Sequence, residues 1–125
     1  MPDAPVIDKP RITIDVDRIH LFWTIGDDGG KPVTSVTIKY KNSSSENDWT
    51  KMKMSQSLLE YTVMHLEPGI FYDFKVLASN EIGDSEYSSV VTLATQDLGI
   101  FVLYNCIVLI IIDIIWCIHL LKYEI

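Results

Sequence analysis

The chain has 125 residues, 48% of them hydrophobic, and a formal net charge of −7 at neutral pH. Its first 97 residues hold nine of the ten Lys and Arg and fifteen of the seventeen Asp and Glu, a net charge of −6. This acidity repels phosphate backbones and anionic headgroups, which excludes nucleic acid as a partner.

Alternating apolar and polar side chains predict short strands in the first half of the chain. A first strand is expected within residues 5–16, interrupted by Pro10 because proline cannot donate to a ladder. A second runs through residues 19–24 and carries Trp23 near its end, a side chain large enough to fill the middle of a small core. After a turn at residues 27–30, the third strand alternates inward Val36, Ile38 and Tyr40 with outward Thr37, Lys39 and Lys41.

Four further strands are predicted in residues 49–97. Residues 49–54 form an edge strand carrying Lys51 and Lys53, and residues 59–64 and 90–95 form two more. Between them Tyr72, Phe74, Val76 and Ala78 share one face of a strand that is buried on one side. It is entered through a corner formed by Leu66, Pro68 and Tyr72. A tyrosine there packs its ring on the core and hydrogen-bonds its hydroxyl to backbone upstream.

Several motifs within residues 4–95 together resemble the fibronectin type III domain. They are Ala-Pro at residue 4, the Trp23 strand, Asp-Gly-Gly-Lys-Pro, Val-x-Ile-x-Tyr, Leu-x-Pro, Tyr-x-Phe-x-Val-x-Ala-x-Asn and Ile-Gly-x-Ser. The resemblance implies an all-β fold, a seven-stranded immunoglobulin-like sandwich in residues 1–97. It does not by itself imply a function, because this fold serves in many kinds of protein.

Residues 98–121 are predicted to form a single transmembrane α-helix, followed by a short tail at 122–125. Sixteen of these twenty-four residues are Leu, Ile, Val or Phe, and no Lys or Arg occurs before Lys122. A helix of this length reaches about 36 Å, against a hydrocarbon thickness of roughly 30 Å. A buried helix of a soluble protein is disfavoured, since a small sandwich has no second layer to cover it.

Three polar residues interrupt this segment: Asn105, Asp113 and His119. An acid near mid-span costs roughly 2.5 to 3.5 kcal/mol on insertion scales. Two interpretations of Asp113 stay open, a protonated contact with a partner helix and a side chain that reaches the headgroups. Cys117 is a candidate palmitoylation site, against the default of an inert thiol facing lipid. The sandwich itself has no cysteine, because Cys106 and Cys117 are the two in the chain.

The sequence offers no catalytic constellation. His20, His65 and His119 are far apart, and no Cys or His falls at metal-ligand spacing. The glycines of residues 26–30 lack the lysine and the strand-to-helix context of a phosphate loop. We therefore expect no enzyme activity, no cofactor or metal, and no small-molecule substrate.

The sandwich followed by an aliphatic run with an Asp and a nearby Cys resembles the membrane-proximal end of the neural cell adhesion molecule and fasciclin II family. This implies a single-pass protein of the plasma membrane with its N-terminal domain outside, a module that mediates or spaces cell–cell adhesion. Its partners would be other cell-surface proteins, homophilic or receptor, and the lipid bilayer. Vertebrate relatives carry Gly-Lys-Ser where this chain has Gly83-Asp84-Ser85, so nucleotide binding is not carried over.

Asn42-Ser43-Ser44 satisfies the glycosylation rule and lies in a polar loop, so a glycan is expected at Asn42 if the domain enters the secretory pathway. The start Met-Pro-Asp-Ala-Pro lacks a signal segment, and a fragment of a longer precursor is favoured. The alternatives left open are a tail anchor with the sandwich in the cytosol, a lipid-anchor precursor, and the stalk of a non-adhesive receptor.

Overall fold

A computed structural model describes residues 1–97, which form two antiparallel β-sheets packed face to face. The strands are β1 (Val6–Ile7), β2 (Thr13–Ile14), β3 (Ile19–Thr24), β4 (Ser35–Asn42), β5 (Thr50–Met54), β6 (Glu60–Val63), β7 (Phe71–Ser79) and β8 (Val91–Ala94). In one sheet β3 pairs with β1, β2 and β6, and the other has the order β5-β4-β7-β8. The all-β sandwich predicted from the sequence is confirmed.

The predicted first strand is divided into two. A 3₁₀ turn, Lys9–Arg11, separates β1 from β2, and both pair with β3. Pro10 sits inside this turn, where its missing N–H breaks no ladder. The seven predicted strands therefore appear as eight segments. The edge of β3 that faces away from β6 is paired with β1 at one end and with β2 at the other.

The core lies between the sheets and follows the two-residue period of the strands. Ile19, Leu21 and Trp23 on β3 are at most 1% exposed, and they face the buried side chains of the opposite sheet. The buried core residues of β4 and β7 are Val36, Ile38, Tyr72, Phe74 and Val76. The buried residues of the main apolar cluster begin at Ile7 and end at Val91 in the sequence. Residues 1–97 therefore contain a complete core.

One departure from the predicted alternation lies in β4. Thr37 was expected on the outward face, and it is 3% exposed. Its register explains the burial, because Thr37 is paired with Lys53 on one side and Leu77 on the other. A short side chain on a central strand is covered by longer neighbours that stand beside it on the same face.

The predicted transmembrane helix at 98–121 and the tail at 122–125 lie outside the described residues, as do Asn105, Asp113, Cys117 and His119. Within residues 1–97 the structure contains no helix with the length and apolar character needed to cross a bilayer.

Candidate functional site

The outward side of β5, β4 and β7 carries a concentration of lysines, and we call it the lysine face. It consists of Lys39, Lys41, Lys51, Lys53 and Lys75 together with the rings of Trp49 and Tyr87. Lys39 on β4 is directly opposite Lys51 on β5 and Lys75 on β7. Three lysines thus stand in one row across three neighbouring strands.

Two aromatic rings contact three of the five lysines of this face. The ammonium of Lys75 lies 4.3 Å from the ring centre of Trp49 and 4.6 Å from that of Tyr87. Lys39 lies 5.3 Å from the ring of Tyr87, and Lys41 the same distance from that of Trp49. A cation over an aromatic face is attracted by the ring quadrupole, so these lysine stems are ordered against the sheet.

Lys41 differs from its neighbours because a carboxylate neutralises it. Its Nζ lies 3.2 Å from Oδ2 of Asp73, and both side chains are less than a fifth exposed. Asp73 also accepts hydrogen bonds from the hydroxyls of Thr92 at 2.6 Å and Ser43 at 2.7 Å. The Thr92 hydrogen bond is the largest cause that holds the pKa of Asp73 below its usual value, with Ser43 and Lys41 adding to it and burial opposing it.

The other four lysines of the face have no such partner. The ion pairs of the Lys and Arg side chains in residues 1–97 engage Arg18, Lys31 and Lys41. Within the same residues, Lys39, Lys51, Lys53 and Lys75 have no acidic side chain within 4.0 Å. Five of the nine cationic residues in an otherwise acidic domain therefore stand on one face, and four of them keep their positive charge uncompensated.

The predicted core and corner residues lie away from this face. Trp23 is 1% exposed, and its Nε1–H donates to the carbonyl of Leu58 at 2.9 Å. Leu66 is buried, and the hydroxyl of Tyr72 accepts a hydrogen bond from the backbone N–H of Glu67 at 2.9 Å. Pro68 lies in the turn between them. These residues shape the sandwich rather than a binding surface.

Asn42 is the last residue of β4 and is half-buried. Its side-chain oxygen accepts a hydrogen bond from the backbone N–H of Ser44 at 2.9 Å, which closes a tight turn. In register it stands opposite Tyr72, at the end of the sandwich from which the chain leaves. The sequon therefore begins at the end of β4, and only Ser43 and Ser44 lie in the turn, so the prediction of a loop position for Asn42 is wrong.

The remaining candidates stay separate in the described part of the chain. His20 stacks on Phe22 with ring centres 4.4 Å apart, and it faces Glu60 at 3.4 Å. His65 is exposed and has a positive φ of 62°. Residues 1–97 contain no group of three His, Cys, Asp or Glu side chains placed to hold a metal ion. Asp27 and Asp28 instead accept backbone N–H bonds from Gly29 and Gly30 in a turn.

The lysine row did not emerge from the sequence. The alternation predicts Lys39 and Lys41 on the outward face of one strand, and Lys51 and Lys53 on an edge strand. The signal was the repeated Lys-x-Lys of residues 39–41 and 51–53. Alternation places each lysine on a face, but only the pairing register shows that Lys51, Lys39 and Lys75 lie side by side.

Comparison with known proteins agrees with the architecture. Residues 8–94 match the family model of the fibronectin type III domain. The chain is 34% identical over 98 residues to cell adhesion molecule DSCAM of Gallus gallus, which covers 77% of this chain and 5% of that protein. It is 35% identical over 92 residues to the human protein named cell adhesion molecule-related/down-regulated by oncogenes, covering 71% of this chain and 7% of that one.

Solved structures have the same sandwich fold. Domains A168–A170 of titin superpose with a TM-score of 0.66 at 24% identity, covering 78% of this chain and 33% of the titin chain. The chain spans only 5–7% of the length of the curated relatives it matches. It is therefore similar to one stretch of much longer proteins.

Proposed function

The chain belongs to the fibronectin type III family, and from this we propose that it is the membrane-proximal ectodomain module and anchor of a single-pass cell adhesion molecule. The sandwich would stand outside the plasma membrane, and residues 98–121 would cross it. Partners would be other cell-surface proteins. Of the two relatives described above, one is named a cell adhesion molecule and the other is named as related to one, which supports this class of function over an enzyme.

The geometric observation that carries the proposal is the placement of the two ends of the sandwich. The backbone N–H of Asp3 donates to the carbonyl of Asp27, in the loop that follows β3. The N–H of Gln96 donates to the carbonyl of Asp15, just before β3 begins. The chain therefore enters at one end of the strands and leaves at the other.

This arrangement suits a spacer. An eight-residue strand such as β4 is about 26 Å long, so the module would add roughly that distance between the membrane and a domain placed before it. Its rigidity comes from a complete core and from a β-ladder that joins β4 to β7 over eight residue pairs. The domain would hold a preceding domain at a fixed distance from the membrane and would not catalyse a reaction.

A cell-aggregation experiment tests the adhesive role. A homophilic adhesion head, preceded by a signal peptide, is fused before Met1 and expressed in cells that do not otherwise aggregate. Cells carrying this fusion should aggregate, because the chain anchors the head and holds it away from the bilayer. The matched control replaces residues 98–121 with a polar linker of equal length, and it should release the head into the medium.

Retention of the fusion inside the cell, or equal surface anchoring with the polar linker, would contradict the proposal. Replacing residues 1–97 with a flexible Gly/Ser linker tests the spacer part separately. A flexible chain of that length has a root-mean-square reach of about 50 to 60 Å but no fixed direction. Aggregation should then fall while surface staining of the head stays unchanged.

A further inference from the structure

We propose that the cleft at the open edges of β5 and β6 binds a soft monovalent metal ion, Cu(I), through two thioethers and one imidazole. The ligands would be Met52, Met64 and His65, which line this cleft together. Every ligand lies within residues 1–97, so the site is independent of the proposed anchoring and spacing. The metal groups excluded above consist of His, Cys, Asp and Glu, a set to which methionine does not belong.

The cleft lies on the side of the sandwich where each sheet ends. β5 is the terminal strand of the sheet β5-β4-β7-β8, and within residues 1–97 β6 pairs with β3 alone. The cleft between these two edges has a volume of about 270 Å³. Its walls are Tyr40, Met52, Tyr61, Thr62, Met64 and His65. Side chains from both sheets therefore share one small space.

The two thioethers reach the cleft from different sheets. Met52 on β5 is paired in register with the buried Ile38 of β4, and it is itself half-buried. Met64 directly follows β6 and is 42% exposed. A methionine side chain is unbranched and has three rotatable bonds, so both sulfur atoms can adjust to a shared ion without backbone movement.

The backbone at His65 brings the third donor to the same place. Successive residues of a strand point to opposite faces, so a continued β6 would separate the side chains of Met64 and His65. His65 instead has a φ of 62°, in the left-handed region that residues other than glycine seldom adopt. The strand ends there, and both side chains line one cleft. Uncommon backbone conformations of this kind are found at ligand-binding positions.

The chemistry of the donors selects the metal. Thioether sulfur is a soft ligand that selects Cu(I), and imidazole also suits copper. Ca²⁺ and Mg²⁺ require several oxygen ligands, and Zn²⁺ sites use thiolate, imidazole or carboxylate. Residues 1–97 contain no cysteine, so thioethers are the soft donors that this domain offers. Two thioethers and a neutral imidazole carry no formal charge, which suits a monovalent ion.

The surroundings of the three donors favour a bound cation. Tyr40 and Tyr61 are half-buried walls of the cleft, and the face of an aromatic ring attracts positive charge. An ion held by Met52 on one side and by Met64 and His65 on the other would join the edges of two sheets. Because a ligand that binds the folded state alone stabilises it, Cu(I) should raise the unfolding midpoint.

The test uses the full chain in a non-ionic detergent, with Cys106→Ser and Cys117→Ser so that neither thiol competes for the metal. Cu(I) is supplied without oxygen as its acetonitrile complex, and its affinity is measured by competition with bicinchoninate. We expect one ion per chain. Met52→Leu, Met64→Leu and His65→Asn should each lower the affinity at least about tenfold, the smallest loss expected when even an outer-shell partner of a metal is removed. Asparagine tolerates the left-handed backbone at position 65.

Matched controls replace the same residue types outside the cleft. Met1→Leu, Met54→Leu and His20→Asn should each change the affinity less than about twofold, because distant sites act independently. Nuclear magnetic resonance gives a second readout with Ag(I), a redox-inert analogue of Cu(I). The methyl signals of Met52 and Met64 should shift when Ag(I) is added, whereas those of Met1 and Met54 should not. Circular dichroism checks that every variant remains folded.

Several outcomes would overturn the proposal. Unchanged affinity in any of the three ligand variants would remove that ligand, and equal losses in the control variants would show unspecific binding to methionine. Tighter binding of Zn²⁺ than of Cu(I) would require a different donor set. An unfolding midpoint that Cu(I) does not raise would exclude a link between the two sheets. The aggregation experiment is read without copper, so none of these results would affect the anchoring and spacing role.

Discussion

At the scale of single residues, two buried aromatic side chains define the sandwich. Trp23 fills the space between the sheets from β3, and its one polar atom is satisfied by the carbonyl of Leu58. Tyr72 does the same from β7, where its hydroxyl accepts the backbone N–H of Glu67. Each side chain combines a large buried apolar surface with one hydrogen bond, so each can be probed by a single substitution.

Replacing Trp23 with alanine should destabilise residues 1–97 by about 3 to 5 kcal/mol, because it leaves a large cavity in the core. The measurement is the free energy of unfolding in denaturant. Trp49→Ala is the matched control, since Trp49 is partly exposed and lies on the lysine face. Equal losses at the two tryptophans would show that Trp23 does not hold the central place in the core.

Replacing Tyr72 with phenylalanine keeps the ring and removes the hydroxyl. The expected cost is about 1 to 3 kcal/mol, because the N–H of Glu67 loses its partner in a partly buried turn. Tyr61→Phe serves as the comparison, at a partly buried tyrosine of β6. An unchanged denaturation midpoint for Tyr72→Phe would mean that water replaces the hydroxyl without cost.

At the scale of secondary-structure elements, a polar cluster on the outward face ties three strands together. Asp73 on β7 forms an ion pair with Lys41 of β4. It also accepts hydrogen bonds from Thr92 of β8 and from Ser43 in the loop after β4. The cluster joins neighbouring strands of one sheet without using the core. It also fixes the turn that carries the rest of the Asn42 sequon, because Ser43 also donates its backbone N–H to Phe71.

The lowered pKa of Asp73 predicts a pH dependence. A carboxyl whose pKa is lower in the folded state stabilises the fold above its unfolded value and loses this contribution as pH falls through the folded pKa. The difference in unfolding free energy between the natural chain and Asp73→Asn should therefore shrink as pH falls below the reference value of 3.8.

Unfolding measured in urea from pH 7 to pH 2 checks this. Asp17→Asn is the control, since the pKa of Asp17 is also lowered, mainly by its hydrogen bond from Arg18, but that pair is exposed and should matter little. A difference for Asp73→Asn that stays constant down to pH 2 would contradict the assigned role of the carboxylate.

The elements differ in how far they were predictable. Alternation was enough for β3 and for the first half of β7, but at the end of β7 Leu77 and Ser79 are also buried, on the face predicted to be open to solvent. It was not enough for the division at Pro10, since a local turn competes with the strand there. The strand register could not be predicted from the sequence. The lysine row and the Asp73 cluster depend on that register, because both join residues more than ten positions apart.

At the scale of the whole molecule, the lysine face lies on the side of the sandwich, away from its two ends. Residues 3 and 96 lie at opposite ends of the strands, acidic residues dominate residues 1–97, and the lysine face occupies the outward side of one sheet. Under the proposed function the long axis would set the distance from the membrane, while the side would remain open to ligands. Asn42 would then lie near the membrane end.

The measurement that tests the central claim most directly is glycan occupancy at Asn42 in mammalian cells. Expressed behind an added signal peptide, the chain should carry an endoglycosidase-sensitive glycan, because Asn42 lies 56 residues before Leu98, where the apolar segment begins, and enters the lumen. Asn42→Gln and Ser44→Ala should both abolish the glycan, whereas Ser45→Ala should keep it. An unmodified chain, whose N-terminal epitope stains only after permeabilisation, would contradict the extracellular placement.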